Sequence, residues 1–274
     1  MAHVLIATDM SANALHAATY AIRLYGAEGN TFTLLNTYRA APAVPDQPAL
    51  PGDLLAQVST EGLEAFAKSL LELLPEPTPD LATVSAYGAL EDVLDDMAKS
   101  DQRPDLVVMG THSSSGLERV LMGSTTAGVI KAGVLPVLAV PQGAQYRDPK
   151  RIVLADDGGP IERETLKVLL DIARWSRSEV TIVHVVPEGH NSEDEPVDIG
   201  YDMHLGAIPH TYHSVSGDNV MLALNDLVDQ SDSDMAVVVH RRRGLIEQLF
   251  HHSVATDLAL HTQIPVLVLQ QASA

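Results

Sequence analysis

A stretch rich in glycine and hydroxyl side chains, residues 110–125, is the part of the chain whose residue types suit an anion. It begins at Gly110, and Gly123 is followed directly by Ser124 and Thr125. Glycines let the backbone approach an anion closely, and the start of a helix presents free N–H groups and a partial positive charge. The stretch therefore predicts a phosphate-binding loop without basic side chains. The alternative is that both glycines serve tight turns and that Ser124 only caps a helix.

Alternating apolar strands and amphipathic helices must position this loop. Near-continuous apolar runs are typical of parallel strands buried on both faces, and they lie at 3–7, 31–35, 106–109 and 136–140, with a more alternating edge strand at 82–87. Helical patterns lie between them, at 12–25 after Ser11, at 53–74, from Leu90 to Met97, and from Ser124 to Lys131. This order predicts an α/β fold with a doubly wound parallel sheet.

The pattern occurs twice along the chain. Residues 3–9 resemble 151–157 at an offset of 148, and 105–138 resemble 234–267 at an offset of 129. The smaller second offset means that the second copy is shorter, between its second and fourth strands. The repeat predicts two tandem Rossmann-like domains, each a five-stranded parallel sheet flanked by helices. Their predicted bounds are 1–143 and 149–274.

A ligand of such a sheet binds outside the carboxyl ends of the strands, where the strand order reverses. In the first copy, Asp9 is expected to end the first strand and Thr37 the second, and the fourth strand runs into the loop at Gly110. These three positions are expected to converge on one crevice.

These residues carry a family resemblance. The spacing Gly110-x2-Ser113-x9-Gly123-Ser124-Thr125 resembles the universal stress protein family, whose ATP-binding members have G-x2-G-x9-G-[ST]. The resemblance covers essentially the whole chain as two tandem domains of the adenine nucleotide α-hydrolase-like type. It implies a stress-response regulator that binds ATP in its N-terminal domain, and magnesium could accompany the phosphates.

The resemblance also implies roles for single residues. Asp9 and Thr37 would hold the nucleoside, beside a pocket lined by Ala7. The phosphates would lie on a loop formed by Gly110, His112, Ser113, Gly123, Ser124 and Thr125. Ser113 departs from the pattern, which has glycine there. If that position needs a positive φ, serine costs roughly 1 kcal/mol, but its hydroxyl could also donate to a phosphate.

The second copy is predicted to have lost the site. Val239, Arg242 and His252 replace Gly110, Ser113 and Gly123, so large side chains stand where backbone would approach phosphate. The second domain is then expected to be the partner in an intramolecular pseudo-dimer. Apolar last strands at 137–140 and 266–269 would pair the two domains, and a homodimer is also compatible with the sequence.

The composition excludes other classes of function. Lys and Arg number 17 against 36 Asp and Glu, a net charge of −19, which argues against nucleic-acid backbones and anionic membranes. No apolar run reaches the length of a membrane span, and the start of the chain has no basic signal-peptide region. We therefore expect a cytoplasmic protein. The absence of cysteine excludes disulfides, thiolate metal sites and cysteine nucleophiles.

Three alternatives remain open at this point. His204, His210 and His213 are close enough in sequence for a zinc site, but His210 and His213 would face opposite sides of a strand, so surface and packing roles are favoured. The second alternative is a protein of the same fold that acts only as an interaction or scaffold protein. The third alternative is a slow ATPase, in which His112 would be the one base in the loop. No catalytic residue is assigned.

Overall fold

The computed structural model describes residues 1–40, 51–111, 120–121, 124–156, 160–186, 199–216, 228, 232–240, 259–260 and 263–271. The chain has two compact units, Met1–Gly110 and Thr111–Ala274. Within the described residues, no helix combines the length and the apolar character that crossing a bilayer requires.

The first unit alternates strands and helices in the predicted order. Its elements are β1 (His3–Ala7), α1 (Ala12–Tyr25), β2 (Thr31–Tyr38), α2 (Gly52–Leu73), β3 (Asp80–Tyr87), α3 (Leu90–Ala98) and β4 (Leu106–Thr111). The strands are parallel and lie in the order β3-β2-β1-β4. The central pair β1 and β2 runs in register from His3 opposite Thr31 to Ala7 opposite Leu35. The outer place of β3 is the edge position that its sequence predicts.

The helix α1 begins and ends where its sequence predicts. Ser11 is its N-cap, and the Ser11 hydroxyl oxygen accepts the N–H of Ala14 at 3.2 Å. Gly26 ends the helix with φ +73°, a left-handed conformation that glycine adopts without a Cβ penalty. The buried face of α1 includes Ala18, Ala21 and Leu24, none with any exposed surface. That apolar face is what holds the helix on the sheet.

The core of the first unit includes the adjacent strands β1 and β4. Val4, Leu5 and Ile6 of β1 have no exposed surface, and neither have Val107 and Val108 of β4. Full burial of one such side chain contributes about 1.5–3 kcal/mol. The sheet is therefore a rigid support for whatever follows the carboxyl ends of these strands.

The second unit contains the last elements of the first copy, from β5 to β6, and all of the second copy. Its elements are β5 (Val120–Leu121), α4 (Ser124–Ala132), β6 (Val137–Pro141), β7 (Arg151–Asp156), α5 (Lys167–Ser176), β8 (Glu179–Val186), α6 (Ile199–Leu205), β9 (His210–Ser216), β10 (Met235–His240), β11 (Ala259–Leu260) and β12 (Val266–Gln270). Five parallel strands of the second copy lie in the order β9-β8-β7-β10-β12. This arrangement confirms the repeated α/β fold.

The last strands of the two copies pair with each other, as their sequences predict. β6 and β12 run antiparallel, with Leu138 opposite Leu267 and Val137 opposite Val268. Both leucines are fully buried. This pairing places β6 in the second compact unit, so the two units do not coincide with the repeat. The predicted domains 1–143 and 149–274 describe that repeat and stay a prediction.

Candidate functional site

The strand order of the first unit reverses between β1 and β4. From β1 the chain goes outward to β2 and β3 on one side, and it returns to β4 on the other. A reversal of this kind leaves a crevice at the carboxyl ends of the two strands, because their following loops turn to opposite faces of the sheet. Ala7 ends β1 and is buried, so the prediction that Asp9 ends this strand is wrong by two residues. Gly110 near the end of β4 is half-buried. The sequence-predicted positions Ala7 and Gly110 thus lie on adjacent strands.

The turn after β1 is held by its own side chains. The N–H of Thr8 donates to the Leu35 carbonyl at 2.9 Å, which continues the pairing with β2. The Thr8 hydroxyl oxygen accepts the N–H of Met10 at 2.8 Å, and Oδ1 of Asp9 accepts the N–H of Ser11 at 3.0 Å. The side chain of Asp9 is exposed. The turn therefore presents a positioned carboxylate at the crevice.

Met10 has a backbone conformation that the amino-acid sequence does not predict. Its φ is +62°, in the left-handed region that costs a residue with a Cβ roughly 1–2 kcal/mol. Its side chain lies on helix α2, since a Cβ built on Gly62 would be 2.4 Å from the Met10 sulfur. Glycine at position 62 thus makes room for Met10, and this contact connects the turn at Asp9 with α2.

Three polar side chains, on β2, α2 and β3, are linked by hydrogen bonds and support the same turn. Nδ2 of Asn36 donates to the Thr8 carbonyl at 2.7 Å. The Ser59 hydroxyl donates to Oδ1 of Asn36 at 2.8 Å, and the Ser85 hydroxyl donates to Ser59 at 2.7 Å. These bonds join β1, β2, α2 and β3. Buried polar groups cost free energy unless they are paired, so this chain fixes the turn and the strands together.

Thr37 lies one residue before the end of β2. The strand continues to Tyr38, so the prediction that Thr37 ends it is wrong by one residue, because the pairing with β3 extends to Tyr38 opposite Tyr87. Thr37 is half-buried. Neighbouring strand residues point to opposite faces, so Thr37 and Asn36 lie on opposite sides of the sheet. Asn36 faces α2.

Gly110 is a strand residue that packs against the first turn of α1. It lies within β4, so the alternative that it serves a tight turn is wrong. A Cβ at this position would lie 2.7 Å from Nδ2 of Asn13 and 3.0 Å from the Asn13 carbonyl oxygen. Glycine here lets the helix start close to the end of β4.

Asn13 is a site residue that the sequence did not single out. Its side chain is 4% exposed, and its Oδ1 has no hydrogen-bond partner among the described residues. Nε2 of His16, one turn further along α1, is buried and unpaired in the same sense. Buried polar atoms are normally paired, so these two unpaired atoms on α1 need an explanation. The only signal in the sequence was an asparagine in the first turn of a helix after a candidate site.

The rest of the predicted phosphate loop falls in two places. His112, Ser113 and Gly123 lie outside the described residues. Ser124 and Thr125 open helix α4 in the second unit and are exposed. Ser124 is the first residue of the helix, so the prediction that it caps the helix from outside is corrected by one position.

The corresponding place in the second copy has a different character. Val239, the counterpart of Gly110, is a buried residue of β10 that is 2% exposed. Arg242, His252 and Asp157 lie outside the described residues. A valine at this position brings an apolar side chain where the first copy has bare backbone.

Two histidines of the second copy, His204 and His210, bond to protein groups. Nε2 of His210 lies 2.8 Å from Oδ1 of Asp202, and Nε2 of His204 lies 3.1 Å from the Ile161 carbonyl oxygen. In the described part of the chain, no group of three His, Cys, Asp or Glu side chains is placed to hold a metal ion. His210 lies in strand β9, three residues before His213, as the sequence predicts.

Comparisons with known proteins identify the class to which this fold and crevice belong. Residues 1–141, more than half of the chain, match the Universal stress protein family. The chain therefore belongs to the universal stress protein family, as the spacing of its loop residues predicts.

Individual relatives support this assignment. The chain is 28% identical over 137 residues to a universal stress protein of Methanocaldococcus jannaschii, which covers 50% of this chain and 80% of that protein. It is 24% identical over 193 residues to one of Mycobacterium tuberculosis, covering 64% of this chain and 65% of that protein, just under two thirds of its length. A universal stress protein structure from Archaeoglobus fulgidus superposes with a TM-score of 0.70 at 17% identity and covers 98% of both chains, which shows a common fold.

Proposed function

We propose that this universal stress protein binds ATP at the carboxyl ends of β1, β2 and β4, and that it acts as a nucleotide-dependent regulator of the stress response. The observation that carries the proposal is the reversal of strand order between β1 and β4, with the exposed Asp9 carboxylate held at the crevice. Ligands of open α/β sheets bind at such reversals.

The described residues at the crevice fit the nucleoside part of such a ligand. A carboxylate accepts hydrogen bonds from ribose hydroxyls, which is the chemistry that Asp9 offers. Oδ1 of Asn13 is a second acceptor, buried and unpaired among the described residues. Gly110 adds bare backbone on the adjacent strand. Ala7 and Thr37 complete the proposed nucleoside side of the site.

The phosphates are assigned to backbone amides and hydroxyls. His112, Ser113, Gly123, Ser124 and Thr125 form the proposed phosphate loop. The N-terminus of a helix favours an anion by roughly 0.3–1 kcal/mol in exposed settings, and this suits a chain with a net charge of −19, because the loop then needs no basic side chain. Magnesium bound with the phosphates would take water together with Asp9 or Ser124.

The second copy is proposed to serve as the partner domain without a nucleotide of its own. Val239 fills the place of Gly110, and β12 pairs with β6 of the first copy. In this view the chain is an intramolecular pseudo-dimer that works in the cytoplasm. Nucleotide binding would act on partners through this assembly, with little or no hydrolysis.

An interaction module without a nucleotide is the second candidate function. One observation favours it: packing against Asn13 explains glycine at position 110 without any ligand. The two candidate functions differ in whether the crevice binds a nucleotide.

A calorimetric titration of the full chain with ATP and magnesium separates them. The proposal expects saturable binding with one site per chain. Asp9→Asn keeps an oxygen for the Ser11 N–H but removes the charge and an acceptor, so we expect about tenfold weaker binding. Asp101→Asn, an exposed acid in a turn, is the matched control and is expected to bind like the parent chain. A trace without heat on the folded parent chain supports the interaction module.

A further inference from the structure

The second unit contains a cavity of about 430 Å³ at the amino ends of β8 and β9. The end of α5 forms one wall, and the turn between α6 and β9 forms the other. The nucleotide site proposed above lies at carboxyl ends of strands in the first copy. The cavity is thus in another copy and at the opposite end of its strands.

Two left-handed turns build the walls of this cavity. Arg177 ends α5 with φ +53°, and the N–H of Ser178 donates to the Ala173 carbonyl at 2.9 Å. Gly206 ends α6 with φ +57°, and its N–H donates to the Asp202 carbonyl at 3.1 Å. These helix ends place the two chain segments opposite each other, and their geometry is set by backbone bonds.

The following turn is fastened to the sheet. The Pro209 carbonyl accepts the N–H of Val180 at 2.9 Å, and the N–H of Ile208 donates to the Leu205 carbonyl at 3.1 Å. Leu205 and Ile208 are buried lining residues with 2% and 7% exposure. The cavity therefore has an apolar wall that is anchored to β8.

Arginine supplies the charge of the lining. Arg163, Arg174 and Arg177 all line the cavity, in a chain that has only 17 basic residues and a net charge of −19. Arg174 has one acidic neighbour, Asp171, at 3.8 Å, and both side chains are half exposed to solvent. For Arg163 and Arg177, no ion pair is found with any residue that the structure describes. This cavity is a local concentration of positive charge on an acidic protein.

Two other polar side chains of the lining, Ser178 and His204, form hydrogen bonds within the protein. The Ser178 hydroxyl bonds to Ser176 at 2.6 Å and to the Pro149 carbonyl. Nε2 of His204 is 3.1 Å from the Ile161 carbonyl. The guanidinium groups are therefore the lining groups best placed to recognise a ligand, since they carry donors that these internal bonds do not use.

We propose that this cavity binds a compact organic dianion, a phosphate monoester or a dicarboxylate, whose carbon part packs on Leu205 and Ile208. Guanidinium groups recognise carboxylate and phosphate through paired N–H donors, and three of them suit two negative charges. The volume lies in the range of small-molecule pockets. Because the protein as a whole repels anions, binding here requires this local arrangement.

Calorimetry of the full chain tests the proposal with phenyl phosphate and with phthalate, at constant ionic strength set with sodium chloride. We expect saturable binding of at least one probe with one site per chain, and the probe that binds identifies the anion type. The double variant Arg174→Gln/Arg177→Asn is expected to bind at least about tenfold more weakly. Asparagine is chosen at 177 because it tolerates the left-handed backbone. Arg103→Gln, an exposed arginine elsewhere, is expected to bind like the parent chain.

Circular dichroism establishes whether each variant is folded. If the double variant does not fold, the single variant Arg163→Gln provides the test. Absence of saturable binding of both probes to the folded parent chain overturns the proposal. Equal binding by the parent chain and the folded arginine variants also overturns it. Binding of ATP at Asp9 is independent of these results, because Asp9→Asn is expected to leave the binding of both probes unchanged.

Discussion

Gly110 lies so close to Asn13 that a Cβ on Gly110 would come within 2.7 Å of Nδ2 and 3.0 Å of the carbonyl oxygen of Asn13. The end of β4 and the first turn of α1 therefore touch through bare backbone. The same pair of residues supplies the first prediction.

Gly110→Ala is expected to destabilise the protein by about 1–3 kcal/mol, because its methyl group has to displace backbone as well as an amide side chain. The free energy of unfolding from urea titrations measures the effect. Gly143→Ala is the matched control, since a Cβ at Gly143 meets nothing within 4 Å. Equal stability of the two variants would show that α1 does not pack on Gly110 as described.

Asn36→Ala is expected to lower the free energy of unfolding by about 1–3 kcal/mol. It removes the donor to the Thr8 carbonyl and the acceptor of the Ser59 hydroxyl, and it leaves both groups unpaired. Ser69→Ala is the control, because the exposed Ser69 hydroxyl only donates to a carbonyl in its own helix. If both variants unfold at the same urea concentration, the polar chain does not stabilise the turn.

The second copy carries a pH-dependent contribution to stability at His210. Burial lowers the pKa of His210, but bonds to the Ile208 carbonyl and the Asp202 carboxylate outweigh burial and raise this pKa above its ordinary value. Hydrogen bonds from His210 and Tyr212 lower the pKa of Asp202. The contribution of His210 is complete below its unfolded-state pKa and is lost as the pH rises through the raised value. That of Asp202 is lost as the pH falls through its lowered pKa.

His210→Gln is therefore expected to destabilise the chain more at about pH 5.5 than at about pH 8.5. Urea unfolding at the two pH values measures the difference. His213→Gln, on the same strand but exposed, is the control and is expected to show no such difference. A loss in His210→Gln that is larger at the higher pH would contradict the raised pKa.

Leu138→Ala is expected to cost about 2–5 kcal/mol, the range for buried leucines. Leu138 is fully buried opposite Leu267, where β6 of the first copy meets β12 of the second. Leu73→Ala, in a residue that is 54% exposed, is expected to change stability by less than about 0.5 kcal/mol. Comparable melting temperatures for the two variants would contradict the described strand pairing.

The strands and helices of the first copy are predictable because their signals are local. A continuous apolar run is enough to predict β1, and Ser11 with Gly26 is enough to predict the ends of α1. The repeat extends this to the second copy. The pairing of β6 with β12 agrees with the family resemblance, which implies pairing through the last strands, and with the apolar runs at 137–140 and 266–269.

The contacts that shape the candidate site are not predictable in this way. The polar chain from Asn36 through Ser59 to Ser85 joins residues on three different elements, and no spacing in the sequence connects them. Met10 has a left-handed φ, and its side chain packs on Gly62 of α2, far from it in sequence. Such contacts depend on which helices and strands pack together in the fold, not on the local sequence. The place of Asp9 near the end of β1 could be predicted from the apolar run before it, and its role in nucleotide binding stays a prediction.

A crystal structure of the full chain with a non-hydrolysable ATP analogue and magnesium tests the central claim most directly. The account predicts density for the nucleoside at the carboxyl ends of β1 and β2, within hydrogen-bond distance of the Asp9 carboxylate. Crystals grown at saturating analogue that show a side chain filling this crevice, with no nucleotide density beside Asp9, would contradict it.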